Sequence, residues 1–339
     1  MKGLSSQIEL LSHFNSMSSL LIGVRRRNMC SMSDEIFVTL SKHNLTESNG
    51  HGQHYGPYAS VRESLDYSYH STYTKERQAL QDEIIDGILG RNTPLDQQQE
   101  NQQCSCEYYV PWAVFTAGAM GAGKSHTLKT LHRQGRLPLD HFVRIDPDEI
   151  RRHLPEYEHY VRLCPRFAGA LTSKESGLIA EIATKAALRC GKSVLVDGSL
   201  RDSAWYAKHF ADLRNEFPLL RIAIIHVSAP TSVIFQRALA RGLATGRQVP
   251  PELIHKTLEE VPRSIEILKG LTDYFCELRN DEGESLTIVT PGETWESFQK
   301  QWSCVTMHNL ALTANSGRAS LERQRSIRTA RQSIVIAEA

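Results

Sequence analysis

A run of eight residues limits what this chain can fold into more than any other feature. Residues 118–125 read G-A-M-G-A-G-K-S and fit the pattern G-x-x-x-x-G-K-[ST] without a mismatch. The apolar run Ala113–Ala117 predicts a buried strand before the motif, and the residues from Ser125 onward predict a helix. A glycine-rich turn in that context aims successive backbone N–H groups at one anion. The sequence therefore predicts a phosphate-binding loop.

The residues of this loop have distinct expected roles. Lys124 is expected to reach the β- and γ-phosphates of a nucleoside triphosphate, and the Ser125 hydroxyl is expected to bind Mg²⁺. The positive end of the helix dipole adds to the attraction for phosphate. The predicted nucleotide-binding residues are Gly118, Ala119, Met120, Gly121, Ala122, Gly123, Lys124, Ser125 and His126.

Strand and helix patterns alternate between residues 111 and 302. The predicted strands are Ala113–Ala117, His141–Ile145, Ser193–Val196, Arg221–Val227 and Leu286–Val289. The predicted helices are Ser125–Gln134, Ser173–Cys190, Ser203–Glu216, Thr231–Ala244, Pro251–Gly270 and Glu293–Trp302. Thr172 and Glu175 have the spacing of a capping box at the start of the second helix. The alternation predicts the three-layer α/β fold of the P-loop NTPases and kinases, with a mainly parallel sheet and helices on both faces.

Composition divides the rest of the chain. Residues 1–72 are rich in Ser, Asn and His near their start, and we expect a largely disordered N-terminal extension. The folded domain is predicted for 73–302, with an N-terminal helix over 73–90, a polar linker over 91–110 and the core over 111–302. A basic, Ser- and Arg-containing disordered tail is predicted for 303–339.

Charge, hydropathy and cysteine content exclude several classes of protein. Lys and Arg number 39 against 38 Asp and Glu, so no overall positive field favours nucleic acid. No apolar run approaches the roughly 18 residues that a membrane span needs. The seven cysteines include no CxxC pair, as expected for reduced thiols in a cytoplasmic protein. A weak mitochondrial presequence is the alternative interpretation of the Ser-rich N-terminus.

Two carboxylates follow the second predicted strand, where a parallel sheet faces its ligand crevice. Asp148 is the candidate general base, because a carboxylate there can accept the proton of an attacking hydroxyl. Arg151 lies one helical turn further and is expected to hold a substrate phosphate. The alternative is that Asp146 or Asp148 only caps a helix that starts near Glu149.

A hydrophobic strand also ends at Asp197, which we expect to hold Mg²⁺ directly or through water. Ser199 and Arg201 follow at the rim and are candidate substrate contacts, with a solvated turn as the alternative for Arg201. Arginines 237, 241 and 247 lie in and after a late helix. Such a segment is typical of a lid over a triphosphate, although a solvated basic face has the same pattern.

The chain resembles the zeta toxin family of P-loop kinases over about residues 75–300. The motifs that carry the resemblance are G-A-M-G-A-G-K-S at Gly118–Ser125, I-D-P-D-E-I-R-R-H-L-P at Ile145–Pro155, V-D-G-S-L-R-D at Val196–Asp202 and A-T-G-R-Q-V-P at Ala244–Pro250. Bacterial members phosphorylate a sugar hydroxyl of UDP-N-acetylglucosamine with ATP. The long terminal segments are unlike the toxins, and no antitoxin region is identifiable.

The resemblance implies a role for individual residues of this chain. It makes Lys124 the phosphate lysine, Asp148 the catalytic base and Glu181 a substrate-binding residue. Ser199 and Arg201 match substrate-contacting positions. The two arginines on the ATP phosphates would be Arg237 and Arg247, but the interval between them is shorter than in the toxins, so Arg241 can replace Arg247.

The resulting interpretation is an ATP- and Mg²⁺-dependent kinase that phosphorylates a hydroxyl of a small, nucleotide-sugar-like acceptor. Asp148, Lys124 and Arg237 would be its catalytic residues. One alternative is a polynucleotide 5′-hydroxyl kinase, which the near-neutral charge disfavours. A second alternative is a non-catalytic nucleotide-binding switch or scaffold, although the sequence lacks the guanine signature N-K-x-D.

Overall fold

The computed structural model describes residues 53–90 and 110–305, apart from residues 282, 284 and 304. The predicted tail falls almost wholly outside these residues, as do most of the linker and residues 1–52 of the N-terminal extension. None of the helices in the described parts of the chain combines the length and the apolar character that a membrane span needs.

Within the described residues, six strands form one sheet in the order β2-β3-β1-β4-β5-β6. The strands are β1 (Trp112–Ala117), β2 (Val143–Ile145), β3 (Val194–Val196), β4 (Arg221–Ser228), β5 (Tyr274–Arg279) and β6 (Thr287–Ile288). All neighbours pair in parallel except β5 and β6. The predicted mainly parallel sheet is confirmed, but β5 was missed by the sequence analysis.

Helices lie against both faces of the sheet. They are α1 (Ala59–Glu63), α2 (Lys75–Gly90), α3 (Lys124–Arg133), α4 (Pro147–Ile150), α5 (Tyr157–Leu163), α6 (Ala168–Leu171), α7 (Ser173–Arg189), α8 (Ser203–Glu216), α9 (Thr231–Thr245), α10 (Pro251–Leu268) and α11 (Trp295–Gln301). Along β1, Ala113 and Phe115 pack in one hydrophobic cluster with α2, α7 and α8, whereas Val114 packs in a second cluster with α3, α9 and α11. This alternation gives the predicted three layers.

The described structure includes residues 53–72, which the sequence analysis assigned to the N-terminal extension. Residues 53–72, which we call the N-terminal segment, include α1 and bury Val61 and Leu65 against the sheet layer. Arg62 is 1% exposed and pairs with Asp82 of α2 at 2.6 Å. Separating a buried, paired arginine from its partner costs free energy, because it leaves a buried charge without a counter-charge. The segment therefore belongs to the folded domain.

The start of α7 differs from the predicted capping box. The Thr172 hydroxyl donates to the carbonyl oxygen of Ala168 at 2.8 Å and does not cap the helix. Glu175 instead accepts from Arg77 of α2 at 2.7 Å, and Arg77 also pairs with Glu156 at 2.9 Å. Glu175, which the local pattern assigned to the helix cap, therefore forms a tertiary ion pair instead.

Candidate active site

The phosphate-binding loop leaves the carboxyl end of β1 in a backbone conformation that requires glycine. Gly118, Gly121 and Gly123 have φ values of 139°, 100° and 89°. A β-carbon at Gly118 or Gly121 would lie 2.4 Å from a backbone oxygen of a neighbouring element. A β-carbon at Gly123 would lie 2.2 Å from the side-chain amide of Asn280. The loop therefore forms the open cradle of backbone N–H groups that a phosphate fits.

Lys124 is in the first turn of α3 and folds back over this loop. Its Nζ donates to two loop carbonyl oxygens, at 2.9 and 3.3 Å. Burial lowers the pKa of Lys124, and the carboxylates of Asp197, Asp148 and Asp146 oppose that change. These interactions place three carboxylates in the field of one ammonium group, so the ends of β1, β2 and β3 share one site.

The Asp197 carboxylate connects the end of β3 to the loop. Its two oxygens accept from Thr116 of β1 at 2.7 Å and from Ser125 at 3.0 Å. A hydroxyl beside a carboxylate supplies the oxygen ligands that Mg²⁺ prefers. The described residues contain no cluster of three or more His, Cys, Asp or Glu that could hold a metal. Few protein ligands suit Mg²⁺, which keeps several waters and binds phosphate oxygens.

The two aspartates after β2 have different roles in the structure. Asp146 caps α4, since its carboxylate accepts from the backbone N–H of Asp148 at 2.8 Å. The capping alternative therefore holds for Asp146. The Asp148 carboxylate points elsewhere and meets three guanidinium groups: Arg247 at 3.0 Å, Arg241 at 3.2 Å and Arg151 at 3.2 Å.

These arginines set the charge of Asp148. Burial alone would raise its pKa, but Arg151, Arg247 and Arg241 outweigh burial and lower the pKa to about 2. Arg151 is itself 7% exposed and also donates to the carbonyl oxygens of Pro147 and Gly169. The Arg151 guanidinium thus pairs with Asp148 and with the backbone around it. Its predicted contact with a substrate phosphate stays a prediction.

Three arginines extend from α9 and the loop after it. Arg241 is half-exposed on α9, and Arg247 is largely buried, yet both reach the same oxygen of Asp148. Arg237 lies one helical turn earlier and donates to the carbonyl oxygen of Asn280 at 3.1 Å, beside the phosphate loop. Arg237 thus lies beside the loop, whereas Arg241 and Arg247 both contact Asp148. The structure does not decide which of Arg241 and Arg247 is the second arginine on the ATP phosphates.

A cavity of about 620 Å³ borders the loop. It lies between α5, α9 and the loop, and is lined in part by Met120, Tyr157, Arg162, Arg241 and Arg247. A volume of this order accommodates a nucleotide-sized ligand. The arginines in its wall favour an anionic one.

Glu181 of α7 is buried between two histidines. Its Oε2 lies 2.7 Å from Nε2 of His70, and its Oε1 lies 3.7 Å from Nδ1 of His209. Burial raises the pKa of Glu181, but the two histidines outweigh burial and hold the pKa far below the usual range. Glu181 is therefore an ionised carboxylate, which the sequence could not show.

The turn after β3 holds the remaining predicted residues. Leu200 is fully buried with φ of 53°, a left-handed conformation that no other non-glycine residue of the described ranges adopts. Such strain marks a backbone that packing holds in place. Leu200 separates Ser199 from Arg201, both of which are part-exposed at the rim. The carbonyl oxygen of Ser199 accepts from the backbone N–H of Gly118 at 3.3 Å, so this turn adjoins the loop.

Sequence reasoning missed two side chains of the site. Asn280 donates to the carbonyl oxygen of Ala122 at 2.9 Å and holds the loop from the end of β5. Recognising the strand Tyr274–Arg279 would have placed Asn280 at the same edge as the loop. His70 had no local signal, because it lies 111 residues from Glu181.

Comparison with known proteins agrees with this geometry. The family profile described as zeta toxin matches residues 95–281, which is more than half of the chain. This chain belongs to the zeta toxin family. The family and the fold together make this chain a P-loop phosphotransferase that binds a nucleotide. The resemblance noted in the sequence is confirmed.

Solved structures are similar to this chain at low identity. The PezAT toxin–antitoxin system of Streptococcus pneumoniae is 18% identical, with a TM-score of 0.46 over 73% of this chain and 96% of that chain. AvrRxo1-ORF1:-ORF2 with ATP is 16% identical, with a TM-score of 0.47 over 74% and 75%. A gluconokinase from Sinorhizobium meliloti is 18% identical, with a TM-score of 0.32 over 63% and 99%. A search of curated proteins found no match.

Proposed function

We propose that this chain transfers the γ-phosphate of ATP to a hydroxyl group of a small, nucleotide-sugar-like acceptor. The observation that carries the proposal is the position of Asp148. Its ionised carboxylate lies in the field of Lys124 and is held by the arginines of the α9 region. A base and a phosphate-binding loop at one site are the two parts that phosphoryl transfer to a hydroxyl needs.

The nucleotide would bind on the glycine cradle. The backbone N–H groups of the loop and Lys124 would hold the phosphates. Arg237, already beside the loop, would stabilise the charge that spreads over the transferred group. Ser125 and Asp197 would hold Mg²⁺, which supplies charge neutralisation between the β- and γ-phosphates.

Asp148 would act after its arginines change partners. Arg241 and Arg247 contact its carboxylate, and a triphosphate offers both guanidinium groups oxygens of higher charge. Moving them would raise the proton affinity of Asp148. The carboxylate would then take the proton as the acceptor O–H bond breaks, the acceptor oxygen would bond to the γ-phosphorus, and the bond from that phosphorus to ADP would break.

The acceptor side would use the turn after β3 and α7. Ser199 and Arg201 are at the rim next to the loop, and Glu181 is an ionised carboxylate able to accept hydrogen bonds from sugar hydroxyls. The arginine-lined cavity supports an acceptor that carries its own phosphates. These features favour a nucleotide-sugar-like molecule over a neutral alcohol.

The experiment is a transfer assay on the full chain with γ-labelled ATP and Mg²⁺. The acceptors tested are UDP-N-acetylglucosamine, other nucleotide sugars, nucleosides and a single-stranded oligonucleotide. We expect the label to appear on a nucleotide sugar. Lys124→Ala should lower the transfer rate by about a hundredfold or more. Lys129→Ala, an exposed lysine of the same helix, is the matched control and should retain activity.

Other outcomes of this assay would replace the proposal. Label on the oligonucleotide, with transfer that falls steeply as salt rises, would establish a polynucleotide kinase. If the chain binds ATP but transfers phosphate to no acceptor, and if Asp148→Asn does not change ATP binding, the chain would instead be a nucleotide-binding switch or scaffold.

A further inference from the structure

The N-terminal segment lies outside the part of the chain that the zeta toxin profile matches, yet it is anchored to α7 and α8. Lys185 of α7 is 3% exposed, and its ammonium contacts Ser64 at 3.2 Å and Glu216 at 3.1 Å. On the surface, Lys208 of α8 pairs with Asp66. Together with the buried Arg62–Asp82 pair, these contacts fix the segment on the domain.

The segment ends by placing His70 against Glu181. The imidazole is 2% exposed, the carboxylate is 10% exposed, and Nε2 lies 2.7 Å from Oε2. Among the described residues, Nδ1 of His70 is buried without a hydrogen-bond partner. Leaving a buried ring nitrogen unpaired costs free energy. The contact with Glu181 is therefore the one polar interaction that the described structure gives this ring.

Aromatic rings surround this contact and connect it to the turn after β3. Tyr69 lies edge-on to His70, with ring centroids 5.1 Å apart, and lies 5.7 Å from Trp205. Trp205 stacks on His209 at 4.7 Å, on the other side of the carboxylate. These rings restrict the motion of both histidines, so the orientation of the Glu181 carboxylate is set by packing as well as by hydrogen bonds.

We infer that His70 is a positioning residue that orients Glu181 for a hydroxyl group of the acceptor. The inference rests on the proposed function, because it takes Glu181 as an acceptor contact. A carboxylate has about four lone-pair sites. His70 occupies one of them on Oε2, and His209 lies 3.7 Å from Oε1. The remaining sites would accept from a vicinal pair of sugar hydroxyls. The N-terminal segment, outside the matched family region, thus completes the acceptor site.

The experiment compares His70→Ala, His70→Gln and the wild-type chain. Initial rates give KM for UDP-N-acetylglucosamine and KM for ATP, and calorimetry gives the Kd of the sugar nucleotide. His70→Ala should raise the acceptor KM and Kd by about tenfold or more, with the ATP KM unchanged, since a charge-assisted hydrogen bond is lost. The Gln amide can donate from the position of Nε2, so His70→Gln should recover most of the affinity.

His54→Ala is the matched control, because His54 stacks on Tyr67 in the same segment. It should leave both KM values unchanged. An unaltered acceptor KM in His70→Ala, or equal losses in His70→Ala and His70→Gln, would overturn the inference. A lower acceptor KM in His70→Ala would also overturn it, since the segment would then obstruct Glu181. If the wild-type chain neither binds nor phosphorylates any acceptor, the proposed function fails; if it does both and His70→Ala matches it, only the assignment of His70 fails.

Discussion

Replacing Asp148 with asparagine tests the centre of the site, because it removes one charge while keeping the shape of the side chain. In the structure, the three guanidinium groups around Asp148 lower its pKa from 3.8 to about 2. A difference of that size corresponds to about 2.5 kcal/mol in favour of the ionised form. The side chain is 28% exposed, and solvent screening reduces the expected loss to about 1–2 kcal/mol at pH 7.

The pH dependence of that loss follows from the sign of the pKa change. Asp148 has a lower pKa in the folded chain than in the unfolded chain. Its contribution to stability is therefore fully present above about pH 4 and is lost as the pH falls toward about 2. Urea unfolding of Asp148→Asn and wild type should differ at pH 7, and the difference should shrink below pH 4.

Nucleotide binding and transfer should respond in opposite directions. Arg241 and Arg247 have to leave Asp148 before they reach a triphosphate, and in Asp148→Asn no carboxylate holds them. An exposed ion pair is worth at most about 1 kcal/mol, so loss of the Arg241 pair alone should leave the affinity for a non-hydrolysable ATP analogue equal or raise it up to about fivefold. Loss of the more buried Arg247 pair should add to that gain. Transfer should fall by about 10²–10⁴, the usual contribution of a general base.

Calorimetry with the analogue and the labelled transfer assay measure the two effects on the same preparation. Asp140→Asn is the matched control, since Asp140 is 81% exposed at the surface. Asp148→Asn with wild-type transfer would show that another group takes the proton. A tenfold weaker analogue affinity would show that the arginines need Asp148 to hold them in place, and the proposed exchange of partners would be wrong.

Three more substitutions test the scaffold of the site. Gly121→Ala puts a β-carbon 2.4 Å from a backbone oxygen at φ of 100°, so calorimetry should show a loss of nucleotide affinity of about tenfold or more. Gly87→Ala, in open space on α2, should instead stabilise the chain by about 0.5–1 kcal/mol in urea unfolding. Arg77→Met removes the guanidinium group that contacts the carboxylates of both Glu156 and Glu175, and it should cost about 3–5 kcal/mol in the same unfolding assay. A loss under 1 kcal/mol would contradict the role given to these ion pairs.

The parts of the fold that the sequence could predict are those with a local physical cause. The strand, glycine turn and helix around residues 112–133 are set by neighbouring residues, and the glycines are required by the backbone angles of the turn itself. The parallel sheet follows from alternating strands and helices. Strand β5 was missed because Tyr274–Arg279 has no β-branched residue and includes the charged residues Glu277 and Arg279, and Asn280 was missed with it.

The parts that could not be predicted depend on which distant residues meet. Nothing local distinguishes His70 or Arg77 from other residues of a polar N-terminal region. Both positions are decided by α7, because it supplies the carboxylates that these side chains reach. The docking of residues 53–72 has the same origin, because the buried Arg62–Asp82 ion pair and the hydrogen bond from Lys185 to Ser64 join residues that are distant in the sequence.

The charges of the candidate site are paired with one another in a way that connects the sequence motifs physically. Lys124 contacts carbonyl oxygens of its own loop, Ser125 contacts Asp197, and the arginines of the α9 region contact Asp148. A buried charge without a partner is costly, so a site built to hold a triphosphate needs internal partners that a phosphate can replace. Under the proposed function, ligand binding would exchange these internal hydrogen bonds and ion pairs for contacts with phosphate. Each motif would then supply both a contact for the ligand and a partner for another motif.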